Sequence, residues 1–492
     1  MPADRGPYID SSAEYTSVER FEPGQSNAAV TRLASVAALG GFLFGYDSAV
    51  INGAVKAIGD HFNTASGTLG FVVSSALLGA AAGALSAGAV ADRVGRKPTM
   101  WMAAILFVAS AIGAGLANSL VLLTFFRVIG GIGVGVASVI APAYIAEIAP
   151  ARIRGRLGSL QQLAIVLGIF VALLADYILA EAAGGSEKDL WLGLPAWRWM
   201  FLVMTIPAVL YGVLSLTIPE SPRYLVAKAR LDEAGTVLRK VLGNIDIPAK
   251  VSQIQETLQT EKKPSWSDLR GGRWGLLPIV WVGIGLSVFQ QFVGINVIFY
   301  YSSILWQAVG FSESDSLIIT VITSVVNIVT TLIAISLIDR SGRKPLLIIG
   351  SIGMTATLGV MAVIFGTAGT NSAGEPVLHG LQGPVALVAA NLFVFAFGMS
   401  WGPVVWVLLG ESFPNRIRAA ALSLAAGAQW IANWAISTSF PPLKDAGLGL
   451  AYGLYAGFAF LSLLFVLRFV RETKGRELEA MTEEIRRVPA SR

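Results

Sequence analysis

Twelve apolar stretches dominate the chain, near residues 33–55, 67–90, 99–119, 121–146, 157–181, 198–218, 274–308, 316–338, 345–367, 383–410, 417–440 and 449–470. Each is long enough to cross the hydrocarbon of a bilayer as a helix, which takes about 20 residues. Backbone polar groups in lipid find no water, so such stretches must bond to themselves as helices. Composition agrees: 54% of the 492 residues are hydrophobic and 14% charged, little more than half the charge of an ordinary soluble domain. Barrel strands would read as alternating segments of about ten residues, and none occur. The predicted class is an all-α membrane protein with twelve transmembrane helices.

Lys and Arg set its orientation. The loops after the second, fourth, eighth and tenth stretches carry Arg93, Arg96 and Lys97; Arg152, Arg154 and Arg156; Arg340, Arg343 and Lys344; and Arg416 and Arg418. The opposite loops carry little beyond Lys56, Lys188 and Lys444. Basic loops stay in the cytoplasm, which predicts both termini inside. The same loops account for the net charge of +5 without any nucleic-acid partner. With no cysteine there is neither a disulfide nor a thiolate metal site, and His61 and His379, both in predicted loops, do not make a metal centre. Residues 1–29 are polar, include acids and lack an apolar core; they read as a disordered cytoplasmic tail, not a cleaved signal peptide.

The chain repeats itself. Ala91-Asp92-Arg93-Val94-Gly95-Arg96-Lys97-Pro98 returns as Ile338-Asp339-Arg340-Ser341-Gly342-Arg343-Lys344-Pro345. Glu147 ahead of Arg152-Ile153-Arg154 returns as Glu411 ahead of Arg416-Ile417-Arg418, and Glu220-Ser221 is echoed by Glu472-Thr473. This divides the chain into six-helix bundles at 30–219 and 271–470, pseudo-symmetric about an axis along the membrane normal, with a short tail at 471–492. Such repeats rock around a midplane site in transporters. Between them, 220–270 is charged but spaces Ala234, Val237, Leu238, Val241 and Val251, Ile254, Leu258 as amphipathic helices do. A cytoplasmic helical linker is expected there, a plain flexible linker being the alternative. Glu147, Glu220, Glu411 and Glu472, with Arg93, Arg154, Arg340 and Arg418, suggest ion pairs that latch the halves together inside and break on opening; the alternative is that these charges serve topology alone.

Asp47 is the one charge between Leu33 and Val55, and Arg127 the one between Lys97 and Glu147. An aspartate at the centre of a span costs about 2.5–3.5 kcal/mol on insertion scales, so it is expected to have a partner and a task. With the first span ending at Lys56, both residues fall about 13 Å inside the same face at the helical rise, which permits pairing. Separate snorkelling to the interface is the alternative. Uncharged polar groups also recur mid-span: Gln161, Gln162, Gln290, Gln291, Asn296, Asn327, Gln429 and Asn433, with Trp406 and Trp430 nearby. Amides offer donors and acceptors suited to a neutral polyhydroxylated ligand, though each alone also serves as interhelical glue.

These motifs resemble the sugar porter family of the major facilitator superfamily, over nearly the whole length. The likeness is carried by both Asp-Arg-x-Gly-Arg-Lys loops, Pro142-Ala143-Tyr144-Ile145-Ala146-Glu147, Pro219-Glu220-Ser221-Pro222-Arg223, Gln290-Gln291-Phe292-Val293-Gly294-Ile295-Asn296 and Trp401-Gly402-Pro403 with Trp406. Bacterial sugar–proton symporters, xylose–proton symport among them, are the nearest pattern, because Asp47 stands where facilitative relatives are commonly neutral. The resemblance implies sugar contacts at Gln162, Gln290, Gln291, Asn296, Trp406 and Gln429, with Asn327 a lesser one. It also implies that Asp47 carries the coupling proton under the control of Arg127. The chain departs from the pattern at Arg471, where a proline usually precedes the glutamate, and at Asp176, where symporter relatives can carry an amide; Asp176 is expected to face the outer vestibule.

The resemblance implies a proton-coupled monosaccharide importer of a bacterial inner membrane, working by alternating access on an aldohexose such as glucose or a pentose such as xylose. Its expected partners are the sugar, the proton and the bilayer; a single chain is the expected working unit, with no nucleotide and no cofactor. A facilitative uniporter and a non-transporting sugar receptor are the alternatives. An ATP-driven pump is excluded because the chain has no Gly-x-x-x-x-Gly-Lys-Ser/Thr loop, and no enzymatic activity is expected.

Overall fold

The computed structural model describes residues 25–150, 153–243, 246–260, 266–271, 275–370, 376–413 and 417–473; at 25–27, 154–156, 260, 266, 267, 339, 370, 376, 418 and 419 it describes the backbone alone. Most of the predicted terminal tails lies outside these residues. Among the described residues, eleven helices are long and apolar enough to cross a membrane: Ala28–His61, Ser66–Val94, Arg96–Gly115, Leu120–Ile148, Leu157–Ala183, Ala196–Thr217, Pro278–Ala308, Glu313–Ile338, Arg343–Gly366, Gln382–Ser412 and Leu448–Phe469. Between the last two runs the helix Arg418–Ala446, which Gln429, Asn433, Lys444 and Asp445 make less apolar. It packs along the second and seventh spans and completes a set of twelve, numbered below in chain order.

Glycines bring the helices of the first half together. A Cβ on Gly79 or Gly83 of span 2 would meet the carbonyls of Val128 and Ile132 at 2.2 and 2.3 Å. Reciprocally, one on Gly131 or Gly135 of span 4 would meet those of Ala76 and Ala80 at 1.9 and 2.1 Å. Spans 1 and 5 approach in the same way through Gly45 and Gly168. Small residues four apart let backbones touch where lipid gives no hydrophobic drive to association.

Four spans are interrupted among the described residues, span 6 at Met204 between helices Ala196–Val203 and Thr205–Thr217. Span 1 breaks at Val50, between helices Gln25–Ala49 and Ile51–His61, and so runs past Lys56, where the sequence predicts its end. Asp47 therefore lies about 21 Å from the helix end at His61, deeper than expected. Span 7 breaks at Val293–Gly294, where Gly294 takes φ +84°, and span 10 breaks at Met399–Ser400.

The cytoplasmic side corrects one expectation. Gly95 and Gly342 (φ +107° and +87°) turn the chain so that Arg96 and Arg343 open spans 3 and 9 and point beneath spans 4 and 10. Arg96 donates to Glu147 at 3.0 and 2.9 Å, and Arg343 to Glu411 at 3.0 and 2.7 Å. Glu220 accepts from the amides of Arg96 and Lys97, and Glu472 from those of Arg343 and Lys344. Thus the second arginine of each repeat, Arg96 or Arg343, holds these glutamates, and each of these pairs lies within one half rather than between halves. Arg93 and Arg340 are exposed at the ends of spans 2 and 8. The side chains of Arg154 and Arg418 lie outside the described residues.

Contact between halves is made on the outer side. Asn52 donates to the carbonyl of Phe299 at 3.0 Å and accepts from the Ser303 amide at 3.2 Å, while the Ser303 hydroxyl donates to the Asn52 carbonyl at 2.5 Å. Ser74 and Thr438 share a hydrogen bond of 2.6 Å. Nearer the outer loops, Glu313 accepts from the Ser186 amide and Glu181 from Ser314. A Cβ on Gly158, Gly410 or Gly427, towards the inner ends of spans 5, 10 and 11, would meet open space. The molecule is closed outside. On the inner side, helices Pro222–Ala227, Leu231–Leu242 and Ile247–Thr260 form the linker, burying Ala234, Val237, Leu238 and Val241 as their spacing predicts.

Candidate functional site

Asp47 and Arg127 sit side by side in the first half, each 2% exposed. Arg127 reaches span 1 because Gly130 and Gly131, one turn on, let span 4 lie close to its neighbours: a Cβ on Gly130 would stand 2.9 Å from the Asp47 carboxylate. The pairing is divided. Nη1 of Arg127 donates to the main-chain carbonyl of Asp47 at 2.9 Å and lies 3.5 Å from Oδ2; Nη2 donates to the Val73 carbonyl at 3.4 Å, and Nε has no protein partner. The guanidinium is held chiefly by backbone, with the carboxylate as its looser partner. Ser48 of span 1 and, from the opposite half, Tyr300 of span 7 line the same small pocket.

The amides of span 7 are linked in series. Asn296 donates to Gln291 at 2.5 Å, Gln291 to Gln290 at 3.4 Å, and Gln290 to the carbonyls of Trp401 and Gly402 at 2.8 and 3.2 Å. The break of span 7 brings Asn296 back towards Gln291, and Gln290 reaches the Trp401 and Gly402 carbonyls in the first turn of the helix that follows the break of span 10. Trp401 is anchored from behind, its indole donating to Ser351 at 2.9 Å. Phe44 and Trp430 face each other across the halves at 5.7 Å between ring centroids.

The structure thus brings together Asp47 with Arg127, and Gln290 with Gln291 and Asn296. Gln162 and Gln429 are half-buried on spans 5 and 11; Asn327 is buried on span 8, and Trp406 on span 10 is 42% exposed. Gln161, which the sequence marks no less than its neighbour, is buried against Gly41 with neither end of its amide bonded to protein. Asp176 does not face a vestibule: it is fully buried, one oxygen 3.1 Å from the Gly53 amide.

Residues 33–485 match the Sugar (and other) transporter family, so the chain belongs to that family of membrane transporters. It is 61% identical, over 93% of its length and 99% of the relative's, to a glucose transport protein of Synechocystis sp.. It is 39% identical to a D-xylose-proton symporter of Escherichia coli, over 91% and 94% of the two chains. Among solved structures, the xylose transporter of Escherichia coli in an inward open conformation superposes with a TM-score of 0.78 at 37% identity, over 92% of this chain and 99% of that one.

Proposed function

We propose that the protein is a proton-coupled monosaccharide importer, acting as a single chain, with glucose or a close aldohexose as substrate. The observation that carries this reading is the buried Asp47–Arg127 pair, a carboxylate deep in a span whose cationic partner has other oxygens to turn to. The relatives named for glucose transport and for xylose–proton symport support it, as does the series of amides on span 7 beside exposed Trp406.

With the outer side open, Arg127 pairs with ionised Asp47. A proton from outside neutralises the carboxylate, and Arg127 shifts to the Asp47 and Val73 carbonyls. Sugar bound by Gln162, Gln290, Gln291, Asn296 and Gln429, with Asn327 and Trp406 beside it, favours closure, which Asn52 and Ser303 complete outside. Opening inward leaves Arg96–Glu147 and Arg343–Glu411 intact, because each pair moves with its own half. Inside, sugar and proton leave and Arg127 re-forms the pair. In proteoliposomes, Asp47→Asn is expected to abolish uphill accumulation while sugar exchange persists. Loss of exchange and of sugar binding together would contradict the assignment of Asp47 to coupling.

A further inference from the structure

Asp176, in the outer half of span 5, is an acid that the Asp47 mechanism does not use. Its side chain is fully buried by protein. Oδ2 accepts from the Gly53 amide at 3.1 Å, in the first turn after the break of span 1, and Oδ1 has no protein partner. The contact is intimate: a Cβ on Gly53 would stand 2.6 Å from that of Asp176. Next to Gly53, Asn52 makes the hydrogen bonds that close the outer side against span 7.

Among the described residues, no cation answers this acid. Of the titratable groups on the elements packed around span 5, Tyr46 alone is close enough to interact with it, and the Tyr46 hydroxyl is itself buried without a partner. Asp47 and Arg127 are engaged with each other, and Arg198 donates to the Gly115 and Ala117 carbonyls. Lys56, Asp60, Glu181 and Glu313 stand at the outer ends of their helices, and Tyr144 and Glu147 near the inner end of span 4. A carboxylate with one amide for company is not stable in such a place. A carboxylic acid is neutral and still accepts from Gly53.

We propose that Asp176 is a second proton-binding site, protonated when the outer side is closed and ionised when the two halves part there and admit water beside span 5. The site binds a proton and releases it unchanged, with no bond made to substrate. By linkage, the closed state takes up the proton, so acid outside favours closure and rising pH favours opening. This rests on alternating access but not on which sugar is carried or on coupling through Asp47, so it is tested without sugar and with Asp47 neutralised.

The protein has no cysteine, so Val121→Cys and Leu381→Cys, exposed at 81% and 77% on the outer ends of the two halves, take spin labels alone. In purified Asp47→Asn protein, the short inter-label distance is expected to give way to a longer one as pH rises. With Asp176→Asn added, the short distance is expected to persist at every pH. An unchanged pH response after Asp176→Asn, or no response before it, would overturn the proposal. If the Asp176→Asn protein does not fold, infrared spectra of the Asp47→Asn/Glu187→Gln protein decide. A protonated-carboxyl band at neutral pH that fades with alkalinity is expected, and absence of that band overturns the assignment.

Discussion

Adding one methyl group at Gly45 tests whether the position of Asp47 depends on backbone contact between spans 1 and 5. A Cβ there would stand 2.0 Å from the Ile165 carbonyl oxygen and 2.9 Å from the Ile169 amide. Ordinary contact begins near 3.4 Å, so the helices must separate by about 1.4 Å, and because the obstacle is backbone no side-chain rearrangement relieves it. Overpacking of this kind costs about 1–3 kcal/mol, a factor of about 5 to 150 in the folding equilibrium. Two residues on, Asp47 is carried with the helix, away from an Arg127 contact already at 3.5 Å. Gly45→Ala should therefore melt at lower temperature in detergent, followed by tryptophan fluorescence, and accumulate sugar less well. Gly158→Ala, which meets nothing, is the matched control. A Gly45→Ala protein indistinguishable from that control in melting and transport would refute the close-packing argument.

Two further outcomes follow from the site and the outer face. Gln290→Leu removes the donor to the Trp401 and Gly402 carbonyls and the end of the amide series. It is expected to weaken sugar binding by about 1–3 kcal/mol, or about 5- to 150-fold in Kd by titration calorimetry, and an unchanged Kd would leave the amides as scaffold only. Outside the membrane, the hydrogen bond that a protonated Glu187 carboxyl donates to the Asp60 carboxylate pushes the Glu187 carboxyl up. A raised carboxyl contributes stability that is present at low pH and lost as pH rises through its folded value. Glu187→Gln should therefore flatten the fall of melting temperature on leaving the mildly acidic range, and an identical pH profile would count against the shared proton.

Hydrophobic length and basic-loop bias are local properties of sequence, so the twelve spans, the orientation and the repeat were legible without coordinates. What was not legible depended on turns and neighbours. Arg96 and Arg93 are equivalent in sequence; only the positive φ of Gly95 aims one at Glu147 and leaves the other in water. The break at Val50 has no proline or glycine to mark it, and its partners are Asp176 and span 7, far off in the chain. Asp176 itself looked like a vestibule residue because its depth followed from the helix crossing, not from its own span. The close approach of spans 2 and 4, by contrast, was signalled by Gly79 with Gly83 and Gly131 with Gly135, four residues apart. Amide placement was partly legible: the seventh-span series follows from one local motif, whereas the exposure of Trp406 follows from what packs around span 10, not from its own stretch of sequence.

Proton-driven sugar accumulation is read without intermediaries from purified protein in liposomes. With labelled glucose outside and an imposed pH gradient, acidic outside, internal glucose should transiently exceed the external concentration, and a protonophore should abolish the overshoot. Equilibration to the external level at every gradient, with no overshoot and no effect of the protonophore, would contradict coupling and leave Asp47 and Arg127 a structural pair in a facilitative carrier.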